Sequence, residues 1–219
     1  MNVILFGATG MIGAGALIEC LKDPTVTRVL AIVRRPTGRA DPKLKELVHT
    51  DFFDYSAVEA ELTGYDACLF CLGVASAGMS EADYRRVTVD VALAAGRVLT
   101  RLNPAMRLCF ISGAGTQLNS RQMWARVKGE AERDMAALPW RSAHMFRPGM
   151  IEPLEGVKSG VPSYQRIYDW FGWALPTLKR GLPGLVTDTV VLGRALIRVA
   201  RDGSPLAVLE SRDINLVGA

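Results

Sequence analysis

Gly7, Gly10 and Gly13 punctuate the chain at three-residue intervals, directly after the apolar run Val-Ile-Leu-Phe at residues 3–6 and directly before a helical pattern. The run has the length and composition of a strand buried on both faces, and Ile12, Ala16, Leu17 and Cys20 recur at helical spacing. The glycines therefore stand where a strand turns into a helix. A side chain at position 7 would crowd that turn, one at 10 would hold the backbone away from a pyrophosphate, and one at 13 would push the helix off the strand. The first amides of the helix and its positive dipole end then face the phosphates. This predicts a dinucleotide-binding turn that also includes Thr9, Met11 and Ile12.

Further strand-like runs occur at residues 29–33, 47–49, 67–71, 108–111 and 143–146, with helical patterns between most of them. The longest helical pattern covers residues 81–102, where Tyr84, Val87, Val91, Leu93, Ala94, Val98 and Leu102 form one apolar face. Such alternation predicts an α/β fold: a doubly wound, Rossmann-type parallel sheet with helices on both faces. At 219 residues the chain suits one domain, spanning 1–219. Ligands of such a sheet gather beyond the carboxyl ends of the strands, where Gly7, Arg34, Asp51, Gly73, Ser112 and Arg147 fall. After Pro148 the rhythm changes, and residues 151–182 are expected to form a small substrate-shaping or lid segment. Its aromatic stretch at 164–175 is compatible with ordinary packing, a lid, or a membrane-surface or dimer patch. A last helix is expected from a cap at Thr187 or Asp188 through Ala200, followed by a strand at 206–209.

Composition excludes several classes of function. The net charge of +4 comes from Lys and Arg scattered among acids, so no nucleic-acid partner is expected. No run reaches the roughly twenty apolar residues that span a bilayer, so no transmembrane segment is expected. With Met1 followed at once by the first strand, no leader is evident, which predicts a cytoplasmic protein. No metal site is expected. Cys68 and Cys71 lie in a strand-like run, where residues three apart point to opposite faces, and His49 and His144 have no cysteine or carboxylate at ligand spacing.

The second strand ends in Arg34 and Arg35, where an NAD site usually offers an acid to the ribose. Two guanidinium forks suit a 2′-phosphate instead, so NADP is the expected cofactor, with NAD the alternative. Asp51 after the third strand is placed to accept from the adenine amino group, and Phe52 to pack beside the ring.

In these features the chain resembles the short-chain dehydrogenase/reductase superfamily, in the atypical or extended branch that holds epimerase/dehydratase-like and Tat-interacting-protein-like members. The resemblance is carried by Gly7-Ala-Thr-Gly10-Met-Ile-Gly13, Asp51-Phe52, Cys71-Leu72-Gly73, Ile111-Ser112-Gly113, Val127-Lys128-Gly129-Glu130 and Arg147-Pro148-Gly149, in order over residues 1–150. It implies that Cys71, Leu72, Gly73 and Arg147 line the cofactor and that Pro148, Gly149 and Met150 lie along the nicotinamide. It further implies that Lys128 holds the nicotinamide ribose and that Ser112 hydrogen-bonds a substrate carbonyl or hydroxyl. A homodimer through helices at 81–102 and 121–137 is implied as well.

One departure stands out. The superfamily's catalytic Tyr lies four residues before the Lys, and here that position holds Trp124. An indole NH donates a hydrogen bond but has no acid–base equilibrium near neutral pH. Tyr84 and Tyr164 are conceivable substitutes without supporting spacing. Two readings stay open: an NADP-dependent oxidoreductase or epimerase-like enzyme acting on a hydrophobic small molecule with Ser112, Lys128 and Trp124 at its centre, or a non-catalytic dinucleotide sensor that binds a protein partner.

Overall fold

The computed structural model describes residues 1–157 and 184–219, so most of the expected lid segment, including the aromatic stretch at 164–175, lies outside the described residues. In chain order the strands of the main sheet are β1 (Asn2–Phe6), β2 (Arg28–Val33), β3 (Leu44–Val48), β4 (Ala67–Phe70), β5 (Arg107–Ile111), β6 (Ser142–Arg147) and, after two strands of a separate pair, β9 (Val208–Glu210). All seven run parallel in the order β3-β2-β1-β4-β5-β6-β9, as a doubly wound sheet requires. β1 lies between β2 and β4, with Val3 opposite Val29 on one side and Ala67 on the other. Val3, Ile4, Leu5 and Phe6 are fully buried, which is why that strand reads as an unbroken apolar run.

Successive side chains divide between two cores. Val3, Leu5, Val29, Ala31 and Leu69 face α1 (Met11–Lys22), together with the C-terminal helices α5 (Thr189–Asp202) and α6 (Ser211–Gly218). Ile4, Phe6, Leu30, Ile32, Phe70, Leu108 and Phe110 face α3 (Val91–Leu102) and α4 (Met123–Ala136), with a 3-10 helix at Ser56–Leu62 beside them. Each large aliphatic or aromatic group buried this way contributes about 1.5–3 kcal/mol. Cys68 joins the second core and Cys71 packs against the first, so this pair straddles the sheet. Burial pushes the Cys20 thiol up to about 12 and raises Cys71 and Cys109 further, which makes them inert packing groups near neutral pH. Glu19 of α1, only 4% exposed, pairs with Arg194 of α5 at 3.0 Å and Lys22 at 3.1 Å and joins the two helices.

Several elements differ from the sequence expectation. β3 begins at Leu44 and not at 47, because an edge strand pairs only with β2 and is incompletely covered on both faces, which admits Lys45 on one and Glu46 on the other. The 81–102 pattern is three pieces: α2 (Glu81–Arg85), capped by Ser80, a π-helical turn at Arg86–Asp90, and α3. The wider π turn rotates the next helix about its axis, so α3 buries Ala92, Ala95, Val98 and Leu99 while Leu93 and Ala94 are only half-buried. Finally, β7 (Met150–Glu152) and β8 (Val186–Asp188) form a separate parallel pair, and α6 comes after β9 with a reciprocal Glu210–Asp213 cap. Asp188 does cap α5, its carboxylate accepting from the Val191 amide at 2.7 Å.

Candidate functional site

β1 and β4 are neighbours whose next helices pack on opposite faces, and that divergence opens a crevice at their carboxyl ends. Two of its glycines are demanded by the protein's own packing. Gly7 has φ of 79°, and a Cβ there would lie 2.6 Å from the Cys71 carbonyl oxygen; a Cβ on Gly13 would lie 2.1 Å from the Gly7 oxygen. Gly10 and Gly73 are different. Among the described residues, a Cβ on Gly10 would meet only the Gly7 oxygen at 3.4 Å, and one on Gly73 would meet nothing within 4 Å. Their missing side chains leave open space in front of the turn. Gly10 is also the N-cap of α1; it makes no side-chain cap, and the first turn carries no acid, so among the described residues neither competes for the first amides, at Met11, Ile12 and Gly13. Thr9 is exposed beside them.

Arg34 and Arg35 come directly after β2 and are exposed, and neither guanidinium makes a hydrogen bond or ion pair with the described residues. Asp51 is exposed too, its carboxylate accepting from the Phe53 amide at 3.0 Å. Phe52 turns inward, edge-on to Phe6 at 6.4 Å and tilted against His49 at 5.9 Å. The exposed ring at this corner is Phe53, under the Arg86 guanidinium at 5.1 Å. Residue 53 was invisible to the motif, because two adjacent phenylalanines give no sign of which one faces out.

The far end of the crevice is the loop between β5 and α4. Ser112 is 4% exposed, its amide donates to the Phe146 carbonyl at 2.8 Å, and its Oγ lies 2.8 Å from Thr116 Oγ1. Lys128 Nζ donates to the Ser112 backbone carbonyl at 2.7 Å. Burial lowers the Lys128 pKa, and the Glu132 carboxylate one turn along α4 partly offsets this. Trp124, one turn before Lys128, is half-buried; a Cβ on Gly115 would lie 3.6 Å from its Cη2. Lys128, Ser112 and Trp124 thus all border one loop.

Arg147 does not face the open crevice. Its guanidinium donates twice to the buried Glu132 carboxylate, Nε to Oε1 at 2.9 Å and Nη2 to Oε2 at 2.5 Å, and once to Glu210 at 3.5 Å. This pairing raises the guanidinium pKa still higher and ties β6 to α4 and β9. The next residues are pinned as well: the Pro148 carbonyl accepts from Ala114 at 3.0 Å, and the Gly149 amide donates to Ser211 Oγ at 2.8 Å. Met150 opens β7 and stays 46% exposed, which leaves its side chain available at the crevice rim. Thr116, Glu132, Glu210 and Ser211 were not singled out in the sequence. Only Glu132 had a signal, four residues after Lys128 on one helix.

No family model matches the chain. It is 30% identical over 207 residues to the protein named Fmp52, mitochondrial, of Aspergillus niger, covering 90% of this chain and 85% of that protein. The protein of the same name from Emericella nidulans is 29% identical over the same coverage. Among solved structures it is similar to a UDP-N-acetylglucosamine 4-epimerase from Methanobrevibacter ruminantium, with a TM-score of 0.69 and 16% identity over 94% of this chain and 74% of that one. It is also similar to the Bordetella bronchiseptica enzyme WbmF solved with NAD+, with a TM-score of 0.65 and 15% identity over 98% and 76% of the two chains. The fungal names overturn one expectation: these relatives are named mitochondrial, so a start at the first strand was no guide to the cytoplasm. With three residues in ten shared across most of the length of a curated relative, the chain belongs to the Fmp52 family.

Proposed function

We propose that the protein binds a nicotinamide dinucleotide, NADP(H) in preference to NAD(H), and acts as an oxidoreductase on a hydrophobic small molecule. One observation carries this reading: Gly10 and Gly73 lack side chains where packing among the described residues does not require it, in front of an uncapped helix start. The residues present fit the group. The amides at 11–13 take the pyrophosphate, Arg34 and Arg35 the 2′-phosphate, and Asp51 the adenine amino group. The complex of WbmF with NAD+ supports the same cofactor class.

When bound, the nicotinamide accepts or supplies a hydride. The chain's residues do the rest. Lys128, held against the Ser112 carbonyl, orients the ribose and presents a positive charge beside the reacting oxygen. The Ser112 hydroxyl hydrogen-bonds that oxygen. Trp124 closes the wall where a phenol would stand and moves no proton. That substitution favours a second reading, in which the protein binds the dinucleotide without turnover and reports its occupancy to a protein partner.

Mass spectrometry of gently purified protein, together with fluorescence titration with NADPH, tests the cofactor. Copurified NADP(H) or saturable micromolar binding is expected, and the absence of both overturns the reading. Turnover with a panel of aliphatic and aromatic aldehydes separates enzyme from sensor. A homodimer belongs to the same reading, and a solution mass of 23.8 kDa by light scattering excludes it.

A further inference from the structure

The loop after β5 contains a second hydroxyl with no part in the hydride-transfer chemistry. Thr116 is 4% exposed, as Ser112 is, and their oxygens lie 2.8 Å apart with either one able to donate. Among the described residues neither oxygen makes another hydrogen bond. The backbone fixes both residues: the Ser112 amide donates to Phe146, the Thr116 amide to Gly113 at 3.1 Å, and Lys128 Nζ to the Ser112 carbonyl. Two hydroxyls carry two protons and four lone pairs, and their contact uses one of each. One O–H and three lone pairs remain.

We propose that Thr116 is a positioning residue for Ser112, and that the direction of the hydrogen bond between them decides whether Ser112 meets a carbonyl or an alcohol. This rests on the oxidoreductase reading. When Thr116 donates to Ser112 Oγ, the Ser112 proton is free to point at a carbonyl oxygen. When Ser112 donates to Thr116 Oγ1, its lone pairs face outward and accept from a substrate hydroxyl. The two states differ by rotation about two C–O bonds, with no heavy-atom movement and no net proton transfer. An isolated serine lacks the second state, because on accepting from an alcohol its own buried proton has no acceptor. The pair therefore binds the carbonyl and the alcohol forms alike, and the proton that reduction consumes and oxidation releases is exchanged with water, since Trp124 has no proton equilibrium to offer.

The test uses the full chain as wild type, Thr116→Val, Thr116→Ser and Ser112→Ala. Two inert probes are titrated by ligand-detected NMR, each with and without saturating NADPH: isobutyramide, which accepts through its carbonyl, and trifluoroethanol, which donates strongly. Thr116→Val should lower the ratio of alcohol to amide affinity about tenfold, and Thr116→Ser should restore it to within about threefold of wild type. Ser112→Ala should weaken both probes. A loosened loop would weaken the two together and leave the ratio unchanged. An unchanged ratio in Thr116→Val overturns the proposal, as does a Thr116→Ser ratio no better than that of Thr116→Val, or a wild type that binds neither probe. Failure of wild type to bind NADPH overturns the cofactor reading alone, since the probe ratios are also measured without it.

Discussion

Lys128 Nζ donates to the backbone carbonyl of Ser112 at 2.7 Å, so the half-buried cation of α4 is held by the same residue whose hydroxyl faces Thr116. A carbonyl offers a partial charge, and the Glu132 carboxylate, which would neutralise the ammonium better, is itself held by Arg147. Burial therefore outweighs the favourable charge, and the lysine pKa falls below its ordinary 10.5.

That shift has a sign in stability. A depressed lysine pKa means that the unfolded chain binds the proton more tightly, so folding stability rises with pH from the lowered value up to 10.5. Below that window the cost of burying the charge is present in full. Lys128→Met removes the titrating group. Chemical denaturation of both proteins from neutral pH to about 10.5 should show wild type gaining on the variant as pH rises. A difference that stays constant with pH would contradict the assignment.

The glycines separate packing from binding. Gly7→Ala puts a Cβ at positive φ and 2.6 Å from the Cys71 oxygen, so a loss of at least about 2 kcal/mol in folding stability is expected by thermal or urea denaturation. Among the described residues Gly10→Ala meets only one atom, at 3.4 Å, and should cost no more than about 1 kcal/mol, as an altered N-cap. Its NADPH affinity should nevertheless drop tenfold or more, about 1.4 kcal/mol. A Gly10→Ala protein that binds NADPH as wild type does would remove the main support for the cofactor site.

Arg34 is exposed and without a described partner, so truncating it leaves no buried group unsatisfied. Calorimetry should show Arg34→Ala losing about 1.5–3 kcal/mol of NADPH binding, the range for a charged hydrogen bond, with NADH affinity unchanged. Equal affinity of wild type for the two cofactors would refute the 2′-phosphate assignment.

Trp124 decides between enzyme and sensor. It stands one turn before Lys128, so Trp124→Tyr brings a phenol within reach of the ammonium. The variant should gain NADPH oxidation with hydrophobic aldehydes or ketones, while Lys128→Ala should weaken NADPH binding in either background. If wild type turns over an aldehyde briskly and Trp124→Tyr abolishes it, the indole shapes a pocket for another donor. A folded, NADPH-loaded Trp124→Tyr protein that stays inert favours the sensor.

The strands buried on both faces were legible in sequence, because residues such as Val3–Phe6 cannot include a polar group without leaving it unpaired in the core. The glycine spacing was legible for a related reason: Gly7 and Gly13 meet backbone within a few residues or across one strand pair, where local sterics dictate the residue type. The sheet order, the π turn that rotates α3, the inward turn of Phe52 and the β7–β8 pair had to come from the tertiary structure. So did the network around the candidate site. Arg147 meets Glu132 across 15 residues and Glu210 across 63, and Gly149 meets Ser211 across 62. A periodic pattern records which face of an element is buried. A polar pair leaves no such trace, because the partner is chosen by where the fold brings two distant segments together, and at that distance many acids in the chain would satisfy the same arginine equally well.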